Sequence, residues 1–158
     1  MLKGQIMAEN DSGSKILLNE VDLDKSFGEL LDLEERKYLL KHGKVYEAAI
    51  GTVLCHENEK GDTLFVILQG EVEIRKESDG ESKVLGNLGI GELVGEISAL
   101  LSMPRIATVV VSKPSIILEI KFDAFAKLLE EVPSLKGMVY KRLTERTIQT
   151  TIQSQTKS

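Results

Sequence analysis

Cysteine, tryptophan and aromatic residues in general are scarce in this chain. Cys55 is its single cysteine, there is no tryptophan, and aromatics make up 4% of 158 residues. One cysteine cannot form an internal disulfide, so a reducing compartment is the natural setting. With only His42 and His56 beside it, Cys55 cannot complete the usual Cys/His zinc spacings, and no structural metal is expected. Few aromatics mean no expected platform for stacking nucleic-acid bases. An excess of basic charge is also missing: 20 Lys and Arg face 25 Asp and Glu, a net charge of −5. That balance argues against a surface that neutralises nucleic-acid phosphates, yet leaves room for one anion at one local site. No apolar run approaches the ~18 residues of a membrane helix, and "MLKGQIMAEND" has no apolar signal-peptide core. A soluble, cytoplasmic protein without membrane contact is expected.

What is present fits one globular domain, with 42% apolar and 28% charged residues. Residues 1–20 read as a flexible N-terminal arm, 21–132 as the domain, and 133–158 as a C-terminal helix with a polar tail. "LLDLEERKYLLKHG" predicts a helix, with Asp32 as its cap, Glu35 completing a capping-box-like pattern and Gly43 as the stop. Short strands follow. "TLFVILQG" is apolar at consecutive positions, which predicts burial on both faces, and "EVEIRKE" alternates. Asp79-Gly80 signals a hairpin, and Lys113-Pro114 reads as a tight connection between two further strands. Phe122, Phe125, Leu129 and Val132 recur at helical spacing, and Pro133 suits the first turn of another helix. Turn signals every ~8–12 residues predict an antiparallel sandwich or barrel. The layout is mainly β with flanking helices.

The stretch "GELVGEISALLSMPRIATVVV", residues 91–111, carries the chemistry. Gly91 and Gly95 precede a short apolar run, where a glycine lets a ligand approach the backbone closely. If that run is helical, its first N–H groups lack intrahelical partners and favour an anion, above all a phosphate. Arg105 follows, and a guanidinium binds two phosphate oxygens while staying charged when buried. Glu96 repels a phosphate but accepts a hydrogen bond from a sugar hydroxyl. Each residue alone has an ordinary reading: a glutamate in a first helical turn suits the dipole, and a nearby arginine is a salt-bridge partner. Their joint spacing singles them out.

"GEISALLSMPRIAT" resembles the phosphate-binding cassette of cyclic-nucleotide-binding domains, matching at Gly95, Glu96, Pro104, Arg105, Ala107 and Thr108. The resemblance spans about residues 27–135 and includes "NEKGDTLFVILQGEVEI". It implies an antiparallel, jelly-roll-like β-roll barrel with an N-terminal helix, a short cassette helix and two C-terminal helices. It further implies that Glu96 binds the ribose 2′-hydroxyl and Arg105 the cyclic phosphate. Backbone N–H groups around Ile97, Ser98, Ile106 and Ala107 would complete the cradle. Two positions depart from the family pattern: Val94 replaces the usual Phe, and Ile106 stands where cyclic-GMP-selective members tend to use Thr. The second departure points to cAMP, with cGMP weaker. Counted without gaps from Arg105 through Pro133, the adenine-facing hydroxyls of the bacterial catabolite activator protein fall on Thr150 and Thr151.

Neither a His/Glu metal cluster nor a nucleophile–base pair is evident, so a non-catalytic sensor is expected. It would act through its last helix on a protein partner the sequence does not identify. Val139, Leu143, Ile148 and Ile152 form an imperfect seam that allows at most a modest homodimer. No DNA partner is expected, since no DNA-reading helix follows the last helix. The competing readings are a fold kept for protein interaction without nucleotide binding, and a fragment of a larger regulator.

Overall fold

In a computed structural model of the protein, residues 7–9, 15–17, 33–141 and 144 are described. Two short strands, β1 (Met7–Glu9) and β2 (Lys15–Leu17), pair antiparallel within the N-terminal stretch. Helix α1 (Leu33–His42) has Glu34 and Glu35 in its first turn and Lys41 and His42 in its last, the order that complements the helix dipole. Asp32, its expected cap, lies outside the described residues. The chain then passes directly into β3 (Gly43–Ala48), followed by β4 (Val53–Cys55), β5 (Thr63–Ser78) and β6 (Glu81–Leu88). After β7 (Leu93–Val94) come the short helix α2 (Glu96–Leu101), strand β8 (Thr108–Lys121) and helix α3 (Phe122–Glu131). Residues 133–141 form α4.

All strand pairs are antiparallel, and the main ladder runs β3-β8-β5-β6, with β4 added to β8 and β7 to β5. The expected β-roll is therefore present. Among the described residues its ladder ends at β3 and β6, so it is an open roll and not a closed barrel.

Two expected breaks are bends instead. "TLFVILQG" and "EVEIRKE" form one strand, β5, and the segments flanking Lys113-Pro114 form one strand, β8. The two strands bend together. The register slips between Ile67 and Val72, opposite Lys113 to Ile116, and Gly70 adopts φ 100°. A Cβ at Gly70 would strike Ser115 Oγ and lie 2.7 Å from the Pro114 carbonyl oxygen. Ser115 Oγ accepts from the Glu71 N–H at 3.1 Å and donates to the Lys113 carbonyl at 2.7 Å. A proline is tolerated in the strand because a bulge removes the need for its missing N–H. The hairpin at Asp79-Gly80 forms as expected, with φ of 53° and 79° at the two residues.

Residues alternate between two cores. Leu64, Val66 and Leu68 of β5 and Leu118 and Ile120 of β8 face the helices, packing with Leu39, Phe125, Leu128, Leu129, Leu135 and Val139. Phe65, Ile67 and Ile117 face the other way, into the roll, with Cys55, Val72, Val94 and Val109. That double burial is why β5 reads as an unbroken apolar run. The helical layer is tied by Tyr38, whose hydroxyl donates to the Ala124 carbonyl at 3.1 Å. No helix among the described residues is long and apolar enough to cross a membrane.

Candidate functional site

The segment from Gly95 to Thr108 links β7 to β8 through the short helix α2, and its first residue explains the shape. Gly95 has φ 84°, a left-handed conformation that glycine adopts without strain, and it turns β7 into α2. Its carbonyl accepts from the Ala99 N–H at 3.2 Å and from Ser98 Oγ at 3.1 Å. Ser102, with φ 51°, ends the helix, and the chain returns toward the roll through Pro104.

Arg105 is then fixed at both ends. Its backbone exchanges two hydrogen bonds with the turn after β4: the Arg105 N–H donates to the Glu59 carbonyl, and the Asn58 N–H to the Arg105 carbonyl, each at 2.8 Å. Its side chain reaches back beneath the cassette and is buried, at 5% exposure. Nη1 donates to Ser98 Oγ at 3.1 Å and to the Gly95 carbonyl at 3.4 Å, and Nη2 donates to Thr63 Oγ1 at 3.3 Å. The guanidinium carbon lies 5.7 Å from the centroid of the Phe65 ring. These contacts are neutral oxygens and an aromatic face, which orient a cation without cancelling its charge.

Two glycines make room for it. A Cβ at Gly95 would strike Arg105 Nη1, and one at Gly61 would lie 2.5 to 2.8 Å from Nη2, Nε and the guanidinium carbon. Gly61 belongs to the turn "NEKGD", where sequence alone gives only a turn signal. The close approach is visible only once that turn and the cassette are brought together.

Glu96 opens α2 with 2% exposure, and Ser98 is 3% exposed. Gly95, Glu96, Ile97, Ser98, Arg105, Ile106 and Ala107 thus lie in one compact segment. Ser98 has an unforeseen use, since its side chain orients Arg105. Thr150 and Thr151 lie outside the described residues, as do Leu143, Ile148 and Ile152 of the expected seam; Val139, its remaining member, is instead buried in the core between helices and sheet.

Lys76, Thr63 and Glu119 escaped the sequence reading, as did the contact that Thr108 makes. Lys76, on the same face of β5 as Val72 and Ile74, donates to the Ile106 carbonyl at 2.7 Å and lies 3.7 Å from Glu57 Oε2. The Thr108 hydroxyl accepts from the Glu57 N–H at 3.0 Å. Thr63 donates to Glu119 Oε2 at 3.0 Å while accepting from Arg105. Alternation could have shown that Glu119 faces the roll, but not that Thr63 would stand between it and Arg105. Cys55, close behind the cassette, donates to the Ala107 carbonyl at 3.8 Å. Burial pushes its thiol pKa up, and Glu59 adds to the rise, while the Arg105 charge and a hydrogen bond with the Val109 backbone oppose it. Among the described residues no group of three or more His, Cys, Asp or Glu is placed to hold a metal ion.

Comparison with known proteins places this geometry. The family model described as "Cyclic nucleotide-binding domain" matches residues 46–132. A cAMP-dependent protein kinase regulatory subunit from Mycosarcoma maydis is 31% identical over 104 residues, covering 66% of this chain and 20% of its own. The chain thus spans about a fifth of that relative's length. A crystal structure of a cyclic nucleotide-binding domain from Methylobacillus flagellatus is 30% identical, with a TM-score of 0.66, over 81% of this chain and 75% of its own. A regulatory subunit of a cAMP-independent protein kinase A from Trypanosoma brucei is 25% identical, with a TM-score of 0.70, over 89% of this chain and 50% of its own.

Proposed function

The chain belongs to the cyclic nucleotide-binding domain family, and we propose that it is a non-catalytic cytoplasmic sensor of cAMP, with cGMP bound more weakly. The observation that carries this reading is the buried Arg105 guanidinium, held by neutral partners beneath a glycine turn. In this reading Arg105 takes the cyclic phosphate and Glu96 the ribose 2′-hydroxyl. Backbone N–H groups of Ile97, Ser98, Ile106 and Ala107 complete the cradle. The Lys76 contact supports it, because a fixed Ile106 carbonyl orients the peptide joining Ile106 to Ala107. Ile106 has no hydroxyl to offer a guanine, which favours cAMP, and Thr150 and Thr151 read the adenine edge.

The signal leaves through the C-terminal helices to a protein partner. Asp62, between Gly61 and Thr63, accepts from the Phe122 N–H at 2.7 Å, which joins the floor of the site to the first residue of α3. A displacement of Arg105 is thereby felt at the base of the helical layer. The segment from residue 133 onward would also carry any homodimer contact. We propose no DNA partner and no catalytic step.

A second reading has its own support, since the Trypanosoma relative is described as cAMP-independent: the fold would then serve protein interaction without a nucleotide. Melting curves separate the two. A ligand that binds only the folded state raises stability by RT ln(1 + [L]/Kd), about 2.7 kcal/mol at a hundredfold excess over Kd. A melting temperature that climbs with cAMP supports the sensor, and one indifferent to cAMP and cGMP supports the interaction module.

A further inference from the structure

We infer that Glu119 is a specificity-determining residue of the Arg105 site: standing one hydroxyl, that of Thr63, behind the guanidinium, its charge tunes the site to a singly charged phosphodiester and against a doubly charged phosphomonoester. The inference rests on the preceding reading that Arg105 takes a phosphate, and it concerns how that site counts charge. Glu119 lies on β8 between Leu118 and Ile120, which face the helical core. Its own side chain faces the opposite way, and its register partner on β5 is Phe65, the residue whose ring lies beside the Arg105 guanidinium. Thr63 Oγ1 donates to Glu119 Oε2 at 3.0 Å and accepts from Arg105 Nη2 at 3.3 Å.

A hydroxyl carries one proton, and an ionised carboxylate can only accept. Glu119 therefore accepts the hydrogen bond that the Thr63 hydroxyl donates, which turns the hydroxyl lone pairs toward Arg105. The carboxylate sets the direction of this hydrogen-bond chain and stands one hydroxyl away from the guanidinium. Glu96, buried at the start of α2, brings a second carboxylate to the same segment. Lys44, the β3 register partner of Glu119, is exposed, where water and salt weaken its field. One negative charge on a ligand is matched by Arg105. A second meets the carboxylates of Glu96, which is buried, and Glu119, which is half-buried, where like charges repel more strongly than in bulk water.

The test measures the affinities of cAMP and adenosine 5′-monophosphate for the wild type, Glu119→Gln and Glu119→Asp. Glu119→Gln keeps an acceptor for Thr63 and removes the charge. It should narrow the preference for cAMP over the monophosphate by roughly tenfold, the scale of one charge interaction of this kind. Glu119→Asp keeps the charge and should keep the preference. A purely structural role would weaken both ligands alike and leave the ratio unchanged, and that result overturns the inference. Thr63→Val is the second variant: it removes the neutral hydroxyl and leaves the Glu119 charge, so it should keep the preference for cAMP even where both affinities fall, and a preference narrowed as in Glu119→Gln would move the selection from the charge to the hydroxyl and overturn the inference. If the wild type binds neither nucleotide, the ligand reading fails together with the charge selection. The Arg105–Thr63–Glu119 linkage is then judged by thermal unfolding of Glu119→Gln, Arg105→Met and their double variant. Additive shifts overturn the linkage, and non-additive shifts sustain it.

Discussion

Arg105 is where the account is most exposed to a single substitution. Arg105→Ala should lower cAMP affinity by about 2–5 kcal/mol, the usual loss when one partner of a buried charge pair is removed, or on the order of 30- to 4,000-fold in Kd. Arg105→Lys should recover only part of this, because an ammonium cannot make the two-pronged contact. Competition against a fluorescent cyclic nucleotide reads both values, and near-wild-type binding by the Ala variant would assign Arg105 to structure alone. Cys55 gives a residue-scale test that needs no ligand. Its thiol pKa is raised chiefly by burial, so the folded state holds the thiol proton more tightly than the unfolded chain does. The contribution is fully present below the unfolded thiol value of about 8.5 and is lost as pH rises through the higher folded value. Denaturant titrations from neutral to alkaline pH should show stability falling faster in the wild type than in Cys55→Ala. Parallel slopes would remove the thiol from the account.

At the scale of elements, the bend shared by β5 and β8 makes a distinct prediction. Gly70→Ala forces a side chain into a left-handed backbone conformation against Pro114 and Ser115. It should cost roughly 1–3 kcal/mol of stability, seen as a lower denaturant midpoint with an unchanged slope. A neutral outcome would mean that the bend relaxes freely. The same bend marks the limit of what the sequence discloses. Pro114 reads locally as the end of a strand, and only the glycine packed against it across the ladder, 44 positions earlier, makes a bulge of it. The helices were legible because their apolar spacing is local, as at Phe122, Phe125 and Leu129. Within the site, Gly95, Glu96 and Arg105 were legible because one short segment carries them. Gly61, Thr63, Lys76 and Glu119 were not, because each meets the cassette through a tertiary contact that no spacing rule encodes.

For the molecule as a whole, the question is how an event at Arg105 reaches the helices. Gly61, Asp62 and Thr63 touch the site on one side and hold the Phe122 N–H on the other. A ligand shifts this system only if it binds one arrangement better than another. Amide exchange with and without cAMP should therefore show added protection in residues 94–108 and also from residue 133 onward, the segment that would cover the base. Protection confined to the cassette would send the signal by another route. The most direct test of the central claim is calorimetric titration of cAMP and cGMP into the wild type, with Arg105→Ala in parallel. The account predicts saturable binding of both by the wild type, tighter for cAMP, and a loss of at least about 30-fold in cAMP affinity in the variant. Absence of binding by the wild type, or equal binding by wild type and variant, would contradict it.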